Sequence, residues 1–215
     1  VSPQERFAYV SKTFGSNPEH AQRIYDYSSN HWLSYSTPIL SFGRSKRGLP
    51  ISCFLNYVDD SRTGITSHYT ENAFLSSVGG GIGGCWNDVR SVGSKTSSGS
   101  ESTGVIPFLK VVDAEMLAFS QGVTRRGSYA AYINMNHPEI EEFLEIRNTT
   151  GDFNRKALNL HHGVLVTDTF MEAVRENKDW NLVSPKTGDV RSTVNARSLL
   201  QKIVETRLRT GEPYI

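Results

Sequence analysis

Cys53 lies in the apolar run LPISCFLNYV, and the adjacent carboxylates Asp59 and Asp60 close that run. A thiol beside a polar site can give up electrons by pairing with a second thiol. The chain has two cysteines, so Cys85 is the only internal candidate partner. Nothing in the sequence brings it within the reach a disulfide needs. A free cysteine in an apolar strand otherwise serves as a small hydrophobe. On the residues alone, the packing reading of Cys53 is the favoured one.

Other stretches offer binding chemistry. VGGGIGG contains G-x-G-x-x-G at Gly79, Gly81 and Gly84. A dinucleotide site needs that motif between a strand and a helix, but here a helical pattern precedes it and none follows. It reads as a flexible turn, or as a chain lying close to a ligand. GSKT fails as a phosphate loop, because Ser94 separates Gly93 from Lys95. In SQGVTRRG, Gln121 can both donate and accept hydrogen bonds, and Arg125 and Arg126 present forks suited to phosphate. A solvated basic turn is the alternative. The six histidines show no metal-ligand spacing. His161 and His162 are adjacent, so on a strand they point to opposite faces. No serine–histidine–carboxylate set can be picked out.

The elements that must position these residues alternate. Residues 1 to about 34 have helical patterning, which Pro38 breaks. LPISCFLNYV reads as a buried strand, YTENAFLSSV as a helix ended by glycines, and SKTSSGSEST as a polar loop. A helix is expected from about Leu109. GSYAAYINM follows as a strand, then a helix with Pro138 in its first turn and Ile140, Phe143, Leu144 and Ile146 on one face. HHGVLVT is a strand, Asp168 is placed to cap the next helix, and TVNARSLLQKIVETRLRTG is a periodic helix with Gly211 after its end. PYI starts another strand. The alternation predicts an α/β protein with a parallel sheet.

The bulk numbers exclude several classes. At 215 residues and 37% hydrophobic, the chain can bury a sizeable core. Its net charge of +1 gives no electrostatic case for nucleic acid or an acidic membrane. No apolar run approaches the roughly 20 residues that cross a bilayer. Two cysteines make no disulfide framework, which points to a reducing, cytoplasmic setting. The chain begins at Val1 and stops as PYI opens, so it is expected to be a piece of a longer protein.

The blocks TPIL, PISC with an aspartate beyond it, GGGIGG…VRSVGS, GVIPFLK, SQGVTRRGSYAAYINMNHPEIEEFLEIR, LNLHHGVLVTDTFMEAV and ARSLLQKIVETRLRTGEPYI occur in that order. This series resembles the large, catalytic subunit of ribonucleotide reductase, from about Thr37 to Ile215. The resemblance implies the first half of a ten-stranded α/β barrel over 35–215, preceded by the end of a helical region over 1–34. It also implies reduction of a ribonucleotide at its 2′ position through a thiyl radical, with a cysteine pair supplying electrons.

By that resemblance Cys53 is one member of the reducing pair, and Thr37, Ser52 and Gly81 touch substrate. Asp60, Ser61, Arg90, Lys95, Gln121, Arg125 and Arg126 belong to the site of an allosteric deoxynucleotide or ATP effector, which arrives with magnesium. RSVGSKTSSG matches a first specificity loop and SQGVTRRG a second. The implied partners are a second large subunit, a small subunit whose metal generates the radical, and thioredoxin or glutaredoxin. No metal site, direct nucleic-acid contact or membrane contact is implied for this chain. The radical cysteine's Asn-x-Cys-x-Glu setting and the second reducing cysteine are absent, so the chain alone is expected to be inactive. A cobalamin-dependent relative and a non-catalytic nucleotide-binding module are the alternatives.

Overall fold

The computed structural model describes residues 2–45, 49–120 and 126–215, the side chains of 44 and 45 excepted. Three helices come first: α1 (Pro3–Phe14), α2 (Pro18–Ser29) and α3 (Thr37–Ser45). Ser2 and Glu5 form a capping box on α1, and Asn17 caps α2. Pro38 starts a helix rather than ending one. It is the second residue of α3, where its missing N–H has no intrahelical role.

The α/β part runs β1 (Cys53–Tyr57), α4 (Arg62–Ser77), β2 (Gly81–Cys85), α5 (Ile106–Ala118), β3 (Ser128–Asn134), α6 (Ile140–Leu144) and β4 (His161–Leu165). The four strands form one parallel sheet in the order β1-β2-β3-β4, as the alternation predicts. Then come α7 (Asp168–Arg175), β5 (Asp179–Val183), β6 (Val190–Asn195) and α8 (Ala196–Thr210). Strands β5 and β6 form a separate antiparallel pair that the sequence reading passed over. Thr167, not Asp168, caps α7: its Oγ1 accepts the Phe170 N–H at 3.2 Å, and Asp168 is the first helical residue.

The glycine cluster is not a turn. Gly81–Cys85 is a strand lying between β1 and β3. Glycine is required there because large side chains from its neighbours cross it. A Cβ at Gly84 would sit 1.7 Å from the Tyr129 hydroxyl. That hydroxyl accepts a hydrogen bond from Trp86 Nε1 at 2.8 Å and lies 2.7 Å from His68 Nε2, all three residues being buried. Burial lowers the His68 pKa to about 4.

One face of the sheet carries Ile82, Tyr129, Ala131, Ile133 and Val164, and these join α4 and α5 in the core. The other face, with Cys53, Leu55 and Tyr57 on β1, lies open among the described residues. Leu55 is 86% exposed. The expectation of a buried β1 is corrected: it is an edge strand with one open face.

At the opposite edge the sheet continues. Tyr214 bridges Gly163 in parallel, as expected for a strand starting at PYI. Glu212 fastens that join. It accepts from His161 Nδ1, from His162 Nδ1 and amide at 3.0 Å each, and from Arg147 at 3.0 Å. Burial alone would raise the Glu212 carboxyl, but these donors outweigh it and hold the pKa at about 2.

Candidate functional site

Parallel strands place like ends together, so the sheet has two functional ends. At the carboxyl ends of β1 and β2, the chain turns at Asp60 and at Arg90. Asp60 and Arg90 grip each other: Arg90 Nε lies 2.9 Å from both Asp60 carboxylate oxygens, and Nη2 donates to the Asp60 carbonyl at 3.2 Å. Arg90 Nη1 also donates to the Lys95 carbonyl at 3.1 Å. Ser61 is the N-cap of α4, its Oγ accepting the Gly64 N–H at 2.9 Å.

Asp60, Ser61 and Arg90 line a cavity of roughly 480 Å³. Its wall opposite Asp60 comes from the segment after Arg90, where Gly93 and Ser94 pair with Ser102 and Lys95 bridges Glu101, making a small hairpin. Thr96, Ser97, Ser102 and Thr103 of this segment face the cavity. Lys95 does not line it. Its ammonium is exposed and pairs with Glu101 at 2.9 Å. The sequence reading missed Tyr69 and Phe108, which with Ile65 supply the apolar part of the wall from the first half of α4 and the first turn of α5. Their only signal was their place on helices that start beside Asp60 and the hairpin. The cavity therefore offers a helix N-terminus, two arginines (Arg62 and Arg90), two carboxylates (Asp60 and Glu101) and two aromatic rings, a set able to take a ring-bearing ligand with an anionic group.

At the amino ends of the strands stand Cys53, Ser52 and Gly81. Cys53 opens β1 opposite Gly81, whose N–H donates to the Ser52 carbonyl at 2.9 Å. The thiol is exposed on the open face. Cys85 pairs instead with Tyr57, at the other end of the strand. Four residues of strand separate their levels by about 13 Å, beyond disulfide reach. Cys53 thus has no thiol partner among the described residues. Arg126 is exposed two residues before β3, at this same end. Gln121 and Arg125 lie outside the described residues. Thr37 opens α3, and the described hydrogen bonds tie it to neither end. No cluster of three or more metal-ligating side chains occurs among the described residues, and no described helix is long and apolar enough to cross a membrane.

Residues 51–215 match the family model described as "Ribonucleotide reductase, barrel domain". The chain belongs to that family. It is 49% identical over its whole length to the ribonucleoside-diphosphate reductase large subunit of Invertebrate iridescent virus 6, covering 22% of that protein. It is 52% identical over 96% of its length to the putative large subunit of Frog virus 3 (isolate Goorha), covering 35% of it. The alpha subunit of Helicobacter pylori (strain J99 / ATCC 700824) is 30% identical over 99% of the chain, which covers 31% of it. The chain thus spans about a fifth to a third of the length of these relatives. As a segment of the ribonucleotide reductase barrel, the four parallel strands are a partial barrel preceded by helices. In a closed barrel the open face would be the interior.

Proposed function

We propose that this chain supplies the first part of the catalytic barrel of a ribonucleoside-diphosphate reductase large subunit. Within it, Cys53 acts as one member of the dithiol that reduces the ribonucleotide. The observation that carries this reading is the Cys53 thiol, exposed on the open sheet face beside Gly81 and out of reach of Cys85. In the reaction the 2′-hydroxyl leaves as water, two thiols give two electrons and two protons, and a disulfide forms between them. The second thiol and the radical cysteine would come from sequence beyond this segment. The radical itself would come from a metal-containing small subunit, and re-reduction from thioredoxin or glutaredoxin.

The cavity at the other end suits a deoxynucleoside triphosphate effector. Asp60 can accept from a sugar hydroxyl, the start of α4 and Arg90 face phosphate, and Tyr69 and Phe108 offer rings to the base. The described carboxylates there are engaged by Arg90 and Lys95, so an accompanying magnesium ion would be held chiefly by phosphate oxygens. Arg126 and the cavity lie at opposite ends of one chain's sheet. A second large subunit docked on the exposed apolar side chains Phe74, Val78, Leu117 and Phe119 of α4, α5 and their ends would bring such parts together.

The test is Cys53→Ser in the complete large subunit, assayed with its small subunit and a dithiol reductant. Turnover should fall at least a thousandfold while triphosphate binding is unchanged. Retained turnover would remove Cys53 from the reducing pair.

A further inference from the structure

The hairpin over the cavity forms its outer wall, so what fixes its two ends sets the cavity's shape. Its two ends are Val92, before Gly93, and Val105, after Ser102 and the turn at Gly104. Both are held by one carboxylate. Glu139 Oε2 accepts the Val92 N–H at 3.2 Å and the Val105 N–H at 3.0 Å, and Oε1 accepts Val105 again at 3.2 Å. Glu139 is 4% exposed and comes from the turn after β3, far from the hairpin in sequence. Gly104 has φ +83°, and a Cβ there would lie 2.3 Å from Glu139 Oε1, so the chain needs glycine to reach the carboxylate.

The surroundings reinforce the clamp. His137 Nδ1 accepts the Glu139 N–H at 3.1 Å, which makes Nε2 the donor to the Val89 carbonyl at 2.9 Å. Arg155 pairs with Glu139 at 3.4 Å and with Glu142, and it donates to the Thr103 carbonyl at 3.1 Å. Burial pushes the Glu139 carboxyl up, and the Val105 and Val92 amides with Arg155 offset this only in part, so it stays raised. No atom of this set lines the cavity except through Thr103.

We propose that Glu139 is a positioning residue for the effector cavity, its buried carboxylate clamping both ends of the hairpin that forms the cavity's outer wall. The proposal rests on the effector reading above. Because Glu139 follows β3, the clamp joins the hairpin to the strand that Arg126 leads into.

The test uses the complete large subunit with Glu139→Gln, whose NH2 group would face the Val105 N–H whichever way the amide turns. Binding of each of the four deoxynucleoside triphosphates is measured by calorimetry, and hydrogen exchange by mass spectrometry on peptides spanning 87–106. Affinity should weaken at least tenfold, with faster exchange confined to that segment. Arg155→Gln, which keeps the carboxylate but loses its cation, should give a smaller change in the same direction and serves if the first variant does not fold. Wild-type affinity with wild-type exchange in 87–106 would overturn the proposal. Asp60→Ala is run alongside. If it also binds normally, the effector reading fails, and the exchange of 87–106 alone decides whether Glu139 clamps the hairpin.

Discussion

At the carboxyl ends of β1 and β2 one chain supplies a walled cavity; at their amino ends it supplies an exposed thiol with no second thiol near it among the described residues. The cavity is built from residues 60–108, two successive βα units and the hairpin between them. Short connections close such a site at modest entropic cost. The thiol end faces what would be the barrel interior. Under the proposed function, the second thiol and the radical cysteine would be supplied by other parts of the barrel. The difference teaches that one segment can enclose most of a binding crevice while, under the proposed function, it would hold only one of the two thiols the reduction would use.

The widest gap between covered and open surroundings is expected at two neighbouring glycines. Gly84→Ala puts a methyl against the Tyr129 hydroxyl and breaks the Trp86–Tyr129–His68 contacts, so it should destabilise by about 3 kcal/mol or more. Gly83→Ala meets Leu55 Cδ2 at 2.8 Å, on an exposed side chain that can turn in this segment, and Tyr132 Cε2 at 3.5 Å, an ordinary contact. Its cost should stay below about 1 kcal/mol. Thermal unfolding of the complete subunit measures both. A large loss at Gly83 would show that the open face is tightly filled in the whole barrel.

Asp60→Ala addresses the cavity end alone. It removes a sugar-hydroxyl acceptor and frees Arg90, so triphosphate affinity should fall about 10- to 100-fold, worth roughly 1.4 to 2.7 kcal/mol. Substrate affinity without effector should change much less. Equal losses in both would make Asp60 a folding residue and dissolve the contrast between the ends.

The order of strands and helices was legible because apolar periodicity and flanking proline and glycine mark them locally. What stayed hidden depended on distant neighbours. Gly81–Cys85 has poor strand propensity, and only Tyr129 and Leu55, crossing it from either side, explain why glycine belongs in that strand. The β5–β6 pair had its alternation in DWNLV and its Gly188 turn, a period-2 signal passed over for the stronger helix after it. Asp60 and Cys53 stood out by type and by resemblance. Tyr69, Phe108 and Glu139 did not, since an aromatic within a helix or a glutamate before one has many uses. Only the folded register brings Glu139 to Val92 and Val105.

An effect that depends on pH lies between the two ends, on α5. Glu115 has a buried Oε2 without a partner among the described residues. Burial raises its pKa to about 7, against a smaller lowering by the Ala73 backbone N–H. A folded pKa above the unfolded value favours the protonated form. The stability this gives is full below about pH 4.5 and is lost as pH rises through about 7. Glu115→Gln stays neutral throughout, so it should stabilise the subunit by on the order of 1 to 2 kcal/mol at pH 8 and by almost nothing at pH 4.5. Melting temperatures of parent and variant across that range measure the difference. A constant gap would mean that the Glu115 carboxylate finds a donor in the complete subunit, and that the helices joining the two ends carry no charge-dependent strain.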